Sequence, residues 1–413
     1  MLKRIIIVIV LLTSGLAVAQ QGTTSPYSFF GIGSIKFKGT VENRLMGGIG
    51  VYSDSIHLNI QNPAASAGLG LVNYSLAGSH KFDRFETATE SQKATTTTLD
   101  YVAMGIPMGK FGATFGLIPY TTSGYKLQNQ SGTTLTQYEG TGGLNKAFFQ
   151  LGYQVTPKFS LGIDVNYDFG DIENVASTTQ EGVQYGTRET NSSDLLGFSY
   201  NIGALYTTMV SEELEFMSSL TYTPETQFRS ENMRTLETTL VLPSGTITPV
   251  DSRDIDVANT DFTFPSQISV GAGIGKPKKW FIGGEFTSQK TSNFTNRTFE
   301  LENASFEDSG KYKLGGFYIP NYNGLGSYWK RVVYRAGVRF EGTGVVVNGE
   351  SISEFGMSFG VGLPVGRLFS NVNVGFEFVR RGTTNAGLVK ETLFNTFISL
   401  SLNDKWFQKR YYD

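Results

Sequence analysis

From residue 71 to residue 402 the chain repeats one pattern, a short run that alternates apolar and polar residues, then a turn, then another run. Val372-Asn373-Val374-Gly375-Phe376-Glu377-Phe378 is a clear instance. Alternation with a period of two gives a strand with one apolar and one polar face. About ten such residues, tilted, cross a bilayer, and a closed ring of strands is the only sheet that lipid tolerates. No stretch approaches the roughly twenty apolar residues that a transmembrane helix needs. The expected fold is therefore all-β, a transmembrane barrel with lipid outside and a polar lumen. Aromatic residues at 13% and 49 glycines suit aromatic rims and a crowded interior.

Alternation read with turn residues predicts fourteen strands, at 71–85, 97–107, 111–125, 146–155, 159–171, 194–209, 214–228, 263–275, 280–291, 310–320, 332–344, 352–363, 368–381 and 391–402. The even number suits a closed antiparallel barrel. Tight turns follow most even-numbered strands, as at Met108-Gly109-Lys110 and Thr156-Pro157-Lys158, and the tenth strand is an exception. Longer polar links follow the odd-numbered strands, the longest spanning 229–262. Short turns belong in the periplasm, which predicts an outer-membrane barrel with both termini periplasmic.

Before the barrel, Lys3-Arg4, the apolar run Ile5 to Leu12 and Ala17-Val18-Ala19 predict a signal peptide over 1–19. The remaining expected divisions are a hatch over 20–70, the barrel over 71–402 and a periplasmic tail over 403–413. The absence of cysteine excludes disulfides, thiolate metal sites and a lipidated N-terminal cysteine. A net charge of -2 with no long basic run argues against nucleic acid as a partner. The only histidines, His57 and His80, have no neighbouring acids at ligand spacing, so no metal, no cofactor and no catalytic set is expected.

Parity along each strand assigns its two faces. In the eleventh strand Val332, Tyr334, Ala336, Val338 and Phe340 should meet lipid, leaving Arg335, Arg339 and Glu341 in the lumen. In the fifth, Leu161, Ile163, Val165 and Tyr167 should face out, with Asp164 and Asp168 inside. Glu285, Glu354 and Glu377 fall on inward parity as well. A charge on the lipid face near the midplane costs about 2–4 kcal/mol, so this partition is strongly favoured. Mutual pairing and contacts to the hatch account for enclosed charges of both signs. An arginine could instead clamp a carboxylate-bearing ligand. Inward Ser269, Gly271, Gly273, Gly356, Ser358, Gly360 and Gly362 leave room for a segment inside the barrel. The Gly-rich stretch 20–70 is the natural occupant.

Within that stretch, Asn43-Arg44-Leu45-Met46-Gly47-Gly48-Ile49-Gly50-Val51, Asp54-Ser55 and Asn62-Pro63-Ala64-Ala65-Ser66-Ala67-Gly68-Leu69 resemble the N-terminal hatch of the FadL-type outer-membrane barrels. That family has fourteen strands, and the hatch motif covers some thirty residues. Some members pass fatty acids or aromatic hydrocarbons through a gap in the wall. A Bacteroidetes branch, PorV-like, serves protein secretion instead. Tyr318-Ile319-Pro320-Asn321 and the ending Leu402-Asn403-Asp404-Lys405-Trp406-Phe407 resemble Bacteroidetes members.

The resemblance implies that Asn62, Pro63 and Ala64 act as a ligand-sensitive switch, although Asn before Pro also serves simply as a turn and cap. Gly116 and Pro119 lie in the third strand, which is kinked in the transporting relatives to form a lateral exit. Pro119 could equally end the embedded strand and begin a loop. The function so implied is passive uptake of a hydrophobic, fatty-acid-like molecule across the lumen and out through the wall. The alternative is a non-transporting accessory barrel, PorV-like, that serves as a subunit of a secretion or outer-membrane protein assembly complex, and 229–262 could be either a ligand lid or a docking arm.

Overall fold

The computed structural model describes residues 22–242, 247–294, 303–322, 327–365 and 370–405. The expected signal peptide and the tail beyond residue 405 lie outside the described residues. The barrel strands are β1 (Val72–Glu86), β2 (Ser91–Met108), β3 (Phe111–Pro119, resuming as Tyr125–Ser131), β4 (Thr134–Thr156), β5 (Phe159–Gln180), β6 (Tyr185–Met209) and β7 (Glu215–Thr223, then Thr226–Val241). They continue as β8 (Ile247–Asp256 and Thr260–Phe264, then Gln267–Lys276), β9 (Trp280–Gln289), β10 (Ser309–Tyr318), β11 (Val333–Val347), β12 (Glu350–Val365), β13 (Ser370–Arg381) and β14 (Lys390–Asp404). Every ladder is antiparallel, and pairing of β1 with β14 from Val72↔Asp404 to Glu86↔Lys390 closes the ring of fourteen.

Facing follows the alternation. In β11 Tyr334, Ala336, Val338 and Phe340 are exposed, whereas Arg335 is buried. In β5 Leu161, Ile163 and Tyr167 are exposed, whereas Asp164 and Asp168 are fully enclosed. The outward residues form an apolar belt, capped at one rim by Phe376 stacked on Phe394, with Phe82 tilted against the latter. Val332 departs from its expected lipid-facing place and is completely buried. It precedes the first residue of β11, where the chain is still turning and strand parity does not yet apply.

Strands β4 to β7 run well past the belt at the long-loop end. The stretch expected as the longest loop is instead a hairpin, paired from Met233↔Asp256 to Val241↔Ile247 with a register shift between Thr238 and Thr239, and β7 is also paired to β6 from Arg229↔Leu196 to Leu240↔Tyr185. Above the belt both faces of a strand meet water, so apolar alternation is not required there and the pattern that marks the embedded parts fades.

Residues 22–70 fill the lumen. Their elements are short: a 3-10 turn at Pro26–Phe29, a two-residue strand at Ser34–Ile35, the helical turn α1 (Val41–Arg44) and a 3-10 turn at Pro63–Gly68. Thr40 caps α1 by accepting from the Asn43 amide, which satisfies one of the donors left open at a helix start. Packing then anchors the segment. Leu45 and Ile60 sit with Tyr101, Phe148 and Phe397 of the wall, and Ile49 and Val51 with Met217 and Phe281. Full burial of each such aliphatic side chain stabilises the seated segment by about 1.5–3 kcal/mol.

Candidate functional site: the lumen and a break in its wall

Strand β3 is the irregular one. It pairs with β2 only from Met108↔Phe111 to Val102↔Leu117. After Pro119 it bends inward, where Thr121–Thr122 pairs with the hatch strand as Ser34↔Thr122 and Ile35↔Thr121. It then resumes at Tyr125–Ser131, paired with β4 alone. Residues 91–101 of β2 consequently have ladder partners only on the β1 side among the described residues. Phe82 of the upper rim is opposite Thr95, and Leu99 and Val102 are exposed in the belt, so the unpaired edge from Thr95 to Tyr101 lies within the apolar zone.

Gly116 is opposite Ala103 in the last turns of the β2–β3 ladder, and a Cβ there would run into the Val102 carbonyl oxygen. The Tyr120 amide donates to the Leu144 carbonyl on β4 at 2.7 Å. Strand alternation therefore turns the missing N–H of Pro119 toward β2, where no ladder remains for it to break. Pro119 thus stands at an interruption within a strand, not at the start of a loop.

The 3-10 turn of the hatch presses its backbone against the wall. Asn62 caps it, accepting from the Ala64 amide at 3.0 Å while its own amide donates to the Ala204 carbonyl at 3.0 Å. Gly112, Gly152, Gly162 and Gly203 face this turn, and a Cβ on any of them would overlap Ser66, Ala67, Pro63, Ala64 or Asn62. On the far side Gly315 and Gly337 meet Met46 and Gly47, and Gly360 and Gly375 receive Leu45. The expected switch tripeptide, Asn62-Pro63-Ala64, is thus buried against β4, β5 and β6, with β3 closing on the rest of the turn.

Charged side chains tie hatch to wall. Lys38 pairs with Asp164 at 2.6 Å, and Arg44 with Glu377 at 2.8 Å. Glu285 accepts from the Gly50 amide at 2.6 Å and pairs with Lys313 at 2.8 Å. Asp168 pairs with Lys146 at 3.3 Å, and Glu341 with Lys311 at 2.6 Å. Arg339 reaches both Glu354 and Glu377. Arg335 lies apart from this group and donates to Asn373 at 2.9 Å, which in turn donates to Glu42.

Two cavities share no lining residue. One, of 390 Å³, lies at the short-turn end beside Tyr52, Asp54, His57 and Arg335. The other, of 290 Å³, lies on the long-loop side of the hatch and borders Lys36, Arg44, Lys81, Asp100 and Tyr120. Its charged lining is uneven, with nine cationic side chains and four acidic ones. The carboxylates of Asp164, Asp168 and Glu377 stand behind their cations, completely enclosed and outside the lining.

At the short-turn end the Asp54 carboxylate receives the Ile56 and His57 amides at 3.0 and 2.8 Å and lies 2.7 Å from His57 Nδ1. Burial alone would raise the Asp54 pKa, but the charge and hydrogen bond of His57 and the two amides hold it at about 2. Burial likewise opposes charging of His57, yet the facing carboxylate raises it above its ordinary value. Among the described residues no group of three or more His, Asp or Glu is placed to hold a metal ion.

Of the residues singled out from sequence, Asp164, Glu285, Arg339 and Glu377 each contact the hatch or a residue that does. The cationic partners Lys38, Arg44, Lys146, Lys311 and Lys313 were not singled out. Inward parity marks the last three on their own strands, whereas Lys38 and Arg44 sit in a segment with no period to read.

The chain superposes on a crystal structure of the Ralstonia pickettii toluene transporter TbuX with a TM-score of 0.57 at 14% identity, covering 89% of this chain and 99% of that one. For the CymD monoaromatic hydrocarbon channel the values are 0.58, 14%, 92% and 100%. A Pseudomonas aeruginosa FadL homologue gives 0.58, 12%, 90% and 98%. These likenesses show the fold to be that of the FadL-type barrels. No curated protein sequence matches the chain. The family model described as BamG matches residues 1–413, and the chain therefore belongs to the BamG family.

Proposed function

We propose that this barrel sits in a bacterial outer membrane, short turns and both termini toward the periplasm, and passes a hydrophobic small molecule sideways through its wall. The observation that carries this reading is the unpaired edge of β2 from Thr95 to Tyr101, placed inside the apolar belt and beside the upper cavity. Unpaired backbone exposed to hydrocarbon costs several kcal/mol per group, so such a break is tolerated only where it opens on a cavity or is covered. The hatch packed between two cavities that share no lining residue supports a sideways path over one straight through to the periplasm. A molecule entering from the loops would meet the hatch near Asn62 and leave between β2 and β3, past Gly116 and Pro119. The likeness to hydrocarbon channels supports passage of this kind.

Accumulation of labelled oleate and toluene by cells with and without the protein tests it. Protein-dependent uptake that Pro119→Val abolishes, with the barrel still folded, is the expected result. Uptake independent of the protein removes the reading.

A second reading, an accessory barrel for a secreted or membrane protein, has its own observation. The β7–β8 hairpin stands beyond the belt and exposes Met233, Leu236 and Val250 on an otherwise polar arm. Native mass spectrometry after gentle extraction separates the two, since a bound lipid-like mass on a monomer favours passage and a stoichiometric protein complex favours the arm.

A further inference from the structure

The cavity of 390 Å³ at the short-turn end lies below the hatch and has no part in lateral passage. Most of its polar lining is satisfied from within. Asp54 faces His57, His57 Nε2 meets Asn371 Nδ2 at 3.2 Å, and the side-chain amides of Asn43 and Asn59 donate to hatch carbonyls. Two buried charged side chains on the lining are not satisfied in this way. Glu42 of α1 and Arg335 of β11 are each 6% exposed, carry opposite charge and make no ion pair among the described residues. Asn373 of β13 stands between them, its Oδ1 accepting from Arg335 Nη1 at 2.9 Å and its Nδ2 donating to Glu42 Oε1 at 2.8 Å. Among the described residues this leaves Glu42 Oε2 without a donor and the rest of the Arg335 fork without an acceptor. An enclosed ion with part of its hydrogen-bonding capacity unmet is costly until something completes it. Beside the pair the lining turns apolar at Met46, Phe317, Ile319 and Val333, and the mouth reaches solvent at Ser55, Lys278 and Arg331.

We propose that this cavity receives a polypeptide segment from the short-turn side, with the N–H and C=O of one extended residue completing Glu42 and Arg335 and an apolar side chain beside them lying against Phe317, Ile319 and Val333. The geometry of the two ions carries the choice of an amide-bearing ligand. The carboxamide of Asn373 already spans them on one side, acceptor toward Arg335 and donor toward Glu42. An extended residue likewise offers an acceptor and a donor on one edge, its own C=O and N–H. The charges of Glu42 and Arg335 cancel, so the site fits a neutral group with both polarities, whereas a carboxylate or phosphate would meet Glu42 as a like charge. Ligand sites span about 300–1,000 Å³. A cavity of 390 Å³ suits a few residues, and one walled by Phe317 and Ile319 is poorly filled by water alone. The site shares no lining residue with the upper cavity and does not depend on the wall break.

The test uses full-length protein in a neutral detergent and three probes: acetyl-Ala-Leu-Ala-amide, the same peptide with the leucine N–H replaced by an ester oxygen, and acetamide. Calorimetric titration should show saturable binding of the peptide, weakened about tenfold by the ester, with acetamide weaker by at least about a hundredfold. Glu42→Gln keeps an oxygen for Asn373 and turns the open acceptor into a donor, and it and Arg335→Met should each remove about tenfold. A photoreactive leucine in the peptide should label Met46, Phe317 or Val333. Absence of saturable binding leaves the cavity to water and overturns the proposal. Equal binding of the ester, variants without effect, or labels above the hatch overturn it by placing the peptide elsewhere. Acetamide binding as tight as the peptide overturns the polypeptide in favour of a small amide. Each of these results leaves lateral passage standing, since uptake reads that separately. Heat-dependent gel migration, the mark of a folded barrel, is confirmed for each variant first, and if Arg335→Met does not fold, Glu42→Gln and the ester decide.

Discussion

Replacing Arg44 by Met should loosen the hatch without opening the barrel. Arg44 donates to Glu377 through Nη2 at 2.8 Å and Nε at 3.2 Å, and its guanidinium lies 4.5 Å over the Phe397 ring. Hydrogen bonds to a charged acceptor contribute about 1.5–3 kcal/mol, and a partly desolvated cation–π contact about 1 kcal/mol. Glu377 keeps Arg339 and Asn395, so the full penalty of an orphaned buried carboxylate, about 3–5 kcal/mol, does not apply. Met preserves most of the apolar stem, so lost packing is small. The net loss is about 3 kcal/mol, which raises the population of locally opened hatch by roughly a hundredfold. Native-state hydrogen exchange reads it directly at the Leu45 and Gly48 amides, which donate to Val41 and Asn43 at 2.9 Å each. Those amides should exchange about a hundredfold faster while the β13 amides keep their rate. Hatch exchange within threefold of the unaltered protein would refute the role of the pair. Equal acceleration in β13 would show that hatch and wall open only together.

Gly162→Leu should sharply reduce folded yield, because even a Cβ at that position overlaps Pro63 and Ala64, and overpacking against backbone exceeds the usual cost of about 1–3 kcal/mol. Gel migration with and without heating measures it. Gly116→Val drives a Cβ into the Val102 carbonyl at the lower margin of the wall break, an overlap with backbone like that at Gly162, so folded yield should fall as well and uptake, compared per folded barrel in the same cells, should fall further. The Asp54–His57 pair should anchor residues 54–57 best at mildly acidic to neutral pH. His57, raised by its partner, contributes fully below 6.5 and loses its contribution as the pH rises through its folded value. Asp54, held at about 2, contributes above 3.8 and loses its contribution as the pH falls toward 2. Exchange of the Ile56 and His57 amides across pH checks both limbs, and Asp54→Asn should flatten the profile.

The embedded part of the barrel was legible because hydrocarbon imposes a strict rule on every strand that crosses it. Phe376, Phe394 and Ile398 must face out and Glu377 and Asn395 in, and the alternation records that. The rule lapses above the belt, which is why residues 134–145 of β4, 185–193 of β6 and the β7–β8 hairpin read as loop. The break in β3 was half legible. Pro119 marks an interruption, but a proline does not say whether the chain leaves the sheet or dips inward and returns. Pairing of Thr121–Thr122 with Ser34–Ile35 decides that, and neither two-residue strand carries a pattern. The paired lumen acids could be assigned a face by parity, whereas Lys36, Lys38 and Arg44 depend on how an aperiodic segment lies in three dimensions.

The ring of glycines facing the hatch has a consequence for assembly. Gly112, Gly152, Gly162 and Gly203 on one side and Gly315, Gly337, Gly360 and Gly375 on the other leave the enclosed backbone about as close to the wall as atoms permit. A cylinder closed beforehand would offer no clearance for threading that segment into place. The segment precedes every barrel strand in the chain and touches strands from both ends of the sheet, so we expect it to act as a mandrel, with the sheet curling around it before β1 zippers to β14.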